Sequence, residues 1–244
     1  MDGQTTEVLK AYNAKETPEW AQVETTSQFH IASVRKLFNQ YLVHQVADES
    51  YANTPLVSFM KAQELHQSWT PDMLLQHRSG LPRGEKFDFD KTYYTEQELL
   101  SLITKQSLVF PPDTDVLYSN FGHLLLDLAH AAWFDLSVDT VATDKIFRPL
   151  KLSNTVEINR TQAPVKINGM WFEDNKPKQL DLAFYQRFPT GDVLSTVQDL
   201  DTFIRVLDVK KIGDDSGIIE HAGAKRGYRS YVYFDAQSDL TFIM

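Results

Sequence analysis

Ser33 and Lys36, within Ser33-Val34-Arg35-Lys36, have the types and the spacing for nucleophilic catalysis. A serine hydroxyl attacks poorly until a neighbouring base takes its proton. On a helix, a residue three positions on lies about one turn away on the same side, so the Lys36 amine comes within reach of the Ser33 hydroxyl. Burial or nearby positive charge would keep that amine partly neutral, as a base must be. The first helical turn adds outward-pointing N–H groups that can receive an oxyanion. The same spacing has a plain reading, an N-capping serine and a solvated lysine. A second match, Ser58-Phe59-Met60-Lys61, takes that plain reading.

Other chemistries find little support. The chain has no cysteine, which excludes disulfides, thiolate zinc sites and a cysteine nucleophile. Its 7 histidines are His30, His44, His66, His77, His123, His130 and His221, and none falls in an HExxH pair, so no metal site and no cofactor is expected. The glycines build neither a phosphate loop nor GxGxxG, and GxSxG is missing because His77 stands two residues before Ser79.

Lysine and arginine number 24 against 33 acidic residues, a formal net charge of −9 over 244 residues. With basic clusters as short as Lys210-Lys211 and Lys225-Arg226, nucleic acid is not an expected partner. No apolar run approaches the roughly 18 residues of a membrane span. The polar start is not a secretory leader. The expected location is cytoplasmic if that start is native and extracytoplasmic if a leader or anchor has been removed.

The elements that must position Ser33 and Lys36 are legible in outline. Residues 5–13 and 20–24 read as a strand hairpin. Val34, Leu37, Phe38, Tyr41, Leu42 and Val46 form the stripe of a buried helix with Ser33 in its first turn. Thr70-Pro71 opens a helix that stops at Ser79-Gly80, and Thr95 with Glu98 forms a capping box. Leu124, Leu125, Leu128, Ala132 and Trp133 mark a third helix. Residues 157–190 read as loops with one strand, and Ser195 with Gln198 starts another helix. Strands close the chain at 218–221, 228–234 and 240–244, with a turn at 235–239. Strands at both ends and helices between them imply an α+β fold. The expected division is a sheet domain of residues 1–45 and 156–244 and a mainly helical domain of residues 46–155, with the active-site cleft between them.

Six blocks follow one another in order: FHIASVRKLF, LLQHRSGLPRG, YSNFGHLLLDLA, IFRPLKLSNT, GDVLSTVQDLDTF and HAGAKRGYRSYVYFD. Together, over about residues 5–244, they resemble the serine β-lactamase and penicillin-binding-protein superfamily. The likeness is to its class C β-lactamase branch, with D,D-carboxypeptidase, D-aminopeptidase and esterase relatives. The resemblance implies a β-lactamase/transpeptidase-like fold, an antiparallel sheet from both chain ends flanked by helices, with a helical insertion. It implies Ser33 as nucleophile and Lys36 as proton acceptor. Tyr118 would relay protons, and Asn120 would hold Lys36 and the substrate's amide oxygen. His221-Ala222-Gly223 stands where the family has Lys-Thr-Gly, and the N–H groups of Ala224 and Ser33 would receive the oxyanion. The implied substrate is a small molecule or peptide, peptidoglycan-derived or β-lactam compounds included. Each residue also has a plain reading: Tyr118 a core tyrosine, Asn120 a helix cap, His221 a strand histidine. His77-Arg78-Ser79-Gly80, Gly191 and Ser195-Thr196 are read as structural.

Two departures matter. Ala222 lacks the hydroxyl that helps the family hold a substrate carboxylate, so weak β-lactamase activity and a better ester or peptide-amide substrate are expected. Lys225 or Arg226 could restore the carboxylate contact. Second, the family's covering helices before the first strand and after the last are missing, so either the chain is trimmed or a second chain covers the sheet. Trp171, Phe172, Tyr185 and Phe188 suggest an apolar acyl pocket or plain internal packing. The competing functions are a non-turnover penicillin-binding or sensor-like protein of the same fold, and an unrelated structural protein.

Overall fold

The apolar stripe from Val34 to Val46 folds as one helical rod, but not a uniform one. The computed structural model describes residues 22–62, 64–84, 94–158, 170–174, 176–179, 192–225 and 227–244. A two-residue strand β1, Phe29–His30, leads into a 3-10 turn, Ala32–Arg35, then α1, Lys36–Tyr41, and a π-helical turn, Leu42–Val46. Ser33 therefore sits inside the 3-10 turn and is not an N-cap; Ile31 holds that position without a side-chain bond. Ala32 has a φ of +46°, a left-handed conformation that costs an L-residue roughly 1–2 kcal/mol. One side of the rod is apolar: Phe38 meets Phe203 edge-on at 4.4 Å and Phe147 at 5.4 Å between ring centroids. The other side is polar yet buried, with Lys36 6% and Asn39 3% exposed.

Local signals explain the helices that follow. α2, Pro71–Leu75, starts where the Thr70 hydroxyl accepts from the Met73 N–H with proline at the first position, and it ends sooner than the sequence suggests. α3, Glu96–Thr104, has the expected capping box with both reciprocal bonds present. α4, Asn120–Phe134, is buried without a break from Phe121 to Ala131, the mark of a central helix.

The strands are β2, Val156–Ile158; β3, Met170–Glu173; β4, Lys176–Gln179; β5, Asp192–Ser195; β6, Ile218–Lys225; β7, Tyr228–Asp235; and β8, Leu240–Ile243. Among the described residues β1 and β2 pair antiparallel with either edge of β5, β3 and β4 form a hairpin, and β6-β7-β8 form an antiparallel meander. The stretch expected to be loops with one strand thus contributes more strand than its sequence signals. The hairpin expected at 5–13 and 20–24 lies outside the described residues, apart from residues 22–24, which are not strand. α5, Val197–Ile204, is capped one residue later than expected, by Thr196. The Ser195 hydroxyl is instead bonded to Thr155 at 2.8 Å as the end of β5. α6, Val209–Ile212, leads to β6. Helices and antiparallel strands segregate along the chain, as an α+β fold requires.

β2 also buries a carboxyl. Glu157 is 7% exposed and its Oε2 has no hydrogen-bond partner among the described residues. Burial pushes this group up to about 8, against the pull of the Arg35 guanidinium. In the folded chain it stays protonated where the unfolded chain has already released the proton. Stability therefore falls as pH rises between roughly 4.5 and 8, by at most about 1.4 kcal/mol per pH unit. Glu157→Gln is expected to flatten that slope and to melt above wild type at pH 8, measured by urea unfolding from pH 5 to 8. Parallel profiles for the two proteins would show that this carboxyl does not titrate in that range.

Candidate active site

Four segments build the site around Ser33: the 3-10 turn with Lys36, the turn at 118–120, the 77–84 stretch that holds it, and β6. The 3-10 turn brings Lys36 back over Ser33, with its Nζ donating to the Ser33 Oγ at 3.4 Å. The same Nζ donates to the Asn120 Oδ1 at 3.1 Å and lies 4.9 Å from the centre of the Tyr118 ring. The Tyr118 hydroxyl is 2.9 Å from the Ser33 Oγ. Burial lowers the Lys36 amine from its ordinary value, against the opposing pull of Tyr118. An amine so placed can take the hydroxyl's proton; a solvated lysine could not be held this way.

Tyr118 and Asn120 are fixed by the turn that starts α4. The Ser119 hydroxyl accepts from the Gly122 N–H at 3.0 Å and donates to the Pro82 carbonyl at 2.7 Å. The Asn120 N–H donates to the Arg83 carbonyl, and the Ser119 N–H donates to the His77 Nδ1 at 3.2 Å. Asn120 is thus the first residue of α4 and not its cap. The His77 ring packs 4.6 Å from that of Tyr118. Burial and the nearby Lys36 charge hold His77 down to about 4, so it stays neutral and keeps its lone pair for the Ser119 amide. Gly80 needs to be glycine: its φ is +78°, and a Cβ there would lie 2.2 Å from the Phe110 carbonyl oxygen.

The fourth wall is β6. Ile31 ties the two sheets together at the foot of the nucleophile turn. Its N–H donates to the Val193 carbonyl at 3.1 Å, and its carbonyl accepts from the Ser230 hydroxyl at 2.6 Å. Gly223 is paired with Ser230 and runs against this junction. A Cβ at Gly223 would lie 2.2 Å from the Ser230 Oγ, 2.4 Å from the Ile31 oxygen and 3.1 Å from the Ser33 nitrogen. The next residue, Ala224, is thereby held beside the Ser33 turn.

Strand alternation puts His221, Gly223 and Lys225 on one face of β6, with Ala222 and Ala224 exposed on the other. The His221 Nδ1 donates to the Ala222 carbonyl at 2.9 Å, which leaves Nε2 as an acceptor. Burial lowers His221, and the Lys36 charge lowers it further. Burial, with the Arg35 charge behind it, lowers the Lys225 amine to about 7. Arg226 and Gly191 lie outside the described residues, as do Tyr185 and Phe188; Trp171 and Phe172 belong to β3.

The structure brings together Ser33, Lys36, Tyr118, Asn120 and Gly223, and it seats His221 and Ala224 on the strand alongside. It separates Ser58, whose hydroxyl donates to the Pro55 carbonyl, from this group.

A family model described as Beta-lactamase matches residues 1–215. The chain belongs to the Beta-lactamase family. Beta-lactamase-like protein 4 of Dictyostelium discoideum is 26% identical over 200 residues, 70% of this chain and 34% of that protein. The chain spans about a third or less of the length of the curated relatives it matches. Among solved structures, the penicillin binding protein from Bacillus halodurans shares the fold at a TM-score of 0.73 and 20% identity, over 91% of this chain and 81% of that one. The D-amino acid amidase from Ochrobactrum anthropi SV3, complexed with L-phenylalanine amide, does so at 0.72 and 22%, over 91% and 77%. The β-lactamase/transpeptidase-like fold read from the six blocks is therefore the fold of this chain, and its neighbours include hydrolases.

Sequence reasoning missed the polar seam behind this β-lactamase-family site. Asn120, His123, Asp127 and His130 recur at spacings of three, four and three along an otherwise apolar helix. That period marks one face of α4, and it was the available signal. The His123 Nδ1 lies 3.2 Å from the Asn39 Nδ2, and the Tyr51 hydroxyl lies 2.8 Å from the His130 Nδ1. His77 and Ser230 carried no such signal.

Seating of β6 against the nucleophile turn is open to measurement. Gly223→Ala is expected to cost about 1–3 kcal/mol by overpacking, while Ala222→Thr, on the exposed face, should stay within about 0.5 kcal/mol of wild type. Thermal melts of the two variants check this. Equal melting temperatures would show that the strand does not press on the Ile31–Ser33 backbone.

Proposed function

We propose that this chain is a serine hydrolase that cleaves an ester or amide through an acyl-enzyme on Ser33. In this reading the Ser33 oxygen attacks the substrate carbonyl carbon, and its proton passes to the Lys36 amine. The N–H groups of Ser33 and Ala224 receive the oxyanion, a contribution worth about 3–4 kcal/mol per donor in such sites. Collapse of the tetrahedral intermediate breaks the bond to the leaving group, which takes a proton through Tyr118. Water then attacks the acyl group by the same route in reverse and frees Ser33. Asn120 orients Lys36 and hydrogen-bonds the substrate. The cleft lies between the sheet domain of residues 1–45 and 156–244 and the helical domain of residues 46–155. The observation that carries the reading is the buried Lys36 amine held between the Ser33 hydroxyl and the Asn120 carbonyl oxygen, with the Tyr118 hydroxyl 2.9 Å from the Ser33 Oγ.

The substrate class follows from β6. A lowered His221 is neutral near pH 7, and a lowered Lys225 is only partly charged there. Ala222 has no hydroxyl. This strand is a poor anchor for a carboxylate. An ester or amide without a carboxylate beside the scissile bond is favoured over a β-lactam, and a peptide of that kind fits equally. Purified protein is expected to turn over a small aryl ester or amino acid amide faster than nitrocefin. Efficient nitrocefin hydrolysis would reverse this assignment.

Intact mass spectrometry with a panel of activated esters, amides and β-lactams tests nucleophile and turnover together. A transient acyl adduct on wild type and none on Ser33→Ala is expected, with a rate loss of at least ~10⁴-fold in that variant. Because Lys36 must be neutral to act, kcat/KM should rise with pH along a limb set below the ordinary lysine range. A single adduct that persists would instead indicate a sensor-like protein that acylates once. Equal labelling of Ser33→Ala would remove Ser33 from the mechanism.

A further inference from the structure

Behind the Ser33–Lys36 pair lies a second, largely buried charge arrangement that the acyl-transfer steps leave unused. Arg35 follows Val34 in the nucleophile turn and precedes Lys36. Its guanidinium makes a 2.9 Å ion pair with the Asp127 carboxylate, with side-chain exposures of 15% and 7%. Asp127 lies two turns along α4 from Asn120, on the same face. So the two consecutive residues Arg35 and Lys36 both grip α4, one at its first residue and one two turns deeper. Between them, Asn39 meets His123. The three links run along one seam of a helix that is otherwise apolar.

A burial of this kind needs a reason. Two charges taken out of water rarely stabilise a fold more than packed apolar side chains would. The far side of Arg35 lines a small internal cavity together with Asp127, His130 and Glu157. Three buried atoms there have no hydrogen-bond partner among the described residues: Arg35 Nε, His130 Nε2 and Glu157 Oε2. The cluster is thus a costly device built on the residue next to Lys36, and both its charges act on the Lys36 amine.

We propose that Arg35 and Asp127 are positioning residues for Lys36: their ion pair clamps the nucleophile turn to α4 and fixes the balance of charge that the Lys36 amine meets from below. The catalytic consequence rests on the reading of Lys36 as the base; the charge balance itself does not. Arg35 disfavours a second positive charge on its neighbour, while Asp127 favours it, so within the intact pair the two act on Lys36 in opposite directions. The other titratable groups facing Lys36 are Tyr118 before α4, His77 after α2, His123 on α4 and His221 on β6. Burial keeps all three histidines below their ordinary value, so they are neutral while Lys36 titrates. Glu157, protonated up to about 8, faces the Arg35 and Asp127 pair. The pair is therefore the adjustable element.

The experiment is a pH titration of the Lys36 side chain by NMR in 13C-lysine-labelled protein, without substrate, the signal being identified by its loss in Lys36→Met. Asp127→Asn leaves Arg35 charged and should shift the Lys36 titration to lower pH. Arg35→Met leaves the carboxylate and should shift it to higher pH. The double variant R35M/D127N should fall between the two, and R35K, which keeps the charge, should stay near wild type. Singles that shift the same way, or not at all, overturn the proposal and leave the pair a structural tie. Where Asp127→Asn does not fold, Arg35→Met against the double variant gives the same decision. Because no substrate is involved, failure here is distinct from failure to acylate Ser33, which would sink the hydrolase reading alone. With an acyl donor in hand, the acid limb of acylation should move in the same order.

Discussion

The structure turns on keeping an amine out of water without losing it. A lysine side chain buried with no partners costs several kcal/mol when charged, and left in solvent it is useless as a base near neutral pH. Lys36 avoids both by sitting where a serine hydroxyl, an amide oxygen and a tyrosine ring meet. Everything nearby serves to keep those groups from drifting apart. The 3-10 winding before α1 sets the distance between Ser33 and Lys36, since an evenly wound helix would place the pair differently. The first turn of α4 sets Asn120, and the bonds of Ser119 to Pro82 and Gly122 fix the angle at which Tyr118 arrives.

The two sheets meet this arrangement from below. Ile31, one residue before the strained Ala32, gives its N–H to β5 and its carbonyl to Ser230 of β7. A left-handed alanine persists only where its surroundings leave no alternative. Here the alternatives are closed on one side by β5 and on the other by the meander. The backbone cost at Ala32 is therefore offset by bonds in two separate sheets, and Ser33 is presented on a turn with little freedom to relax.

Much of this was legible from the residues. Capping chemistry located α2 and α3, because a hydroxyl followed by a proline, or by a carboxylate three residues on, has few other uses, and the apolar stripe located α4. Ordered blocks located Ser33, Lys36, Tyr118 and Asn120, which a lone Ser-x-x-Lys could not, since Ser58 has the same spacing and bonds only its own turn. The local winding was not legible: 3-10, α and π turns share one apolar stripe, and the choice among them depends on what packs around it. Nor was the cap of α5, because Ser195 and Thr196 are equivalent until Thr155 claims one hydroxyl. The buried ionisable groups of Arg35, Asp127 and Glu157 were hidden for a related reason. A charged residue in a sequence reads as surface, and only the packed helix pair turns it inward.

Gly223 carries one more implication. Along β6 the residues on the outward side, Ala222 and Ala224, are exposed, whereas at 223 even a methyl group would collide with Ser230 and the Ile31–Ser33 backbone. Evolutionary drift on this strand is therefore lopsided. Ligand preference can be rewritten at 221 and 225 by ordinary replacement, one side chain at a time. The glycine between them is frozen, and any lineage that lost it would have to rebuild the neighbouring turn before it could react with anything.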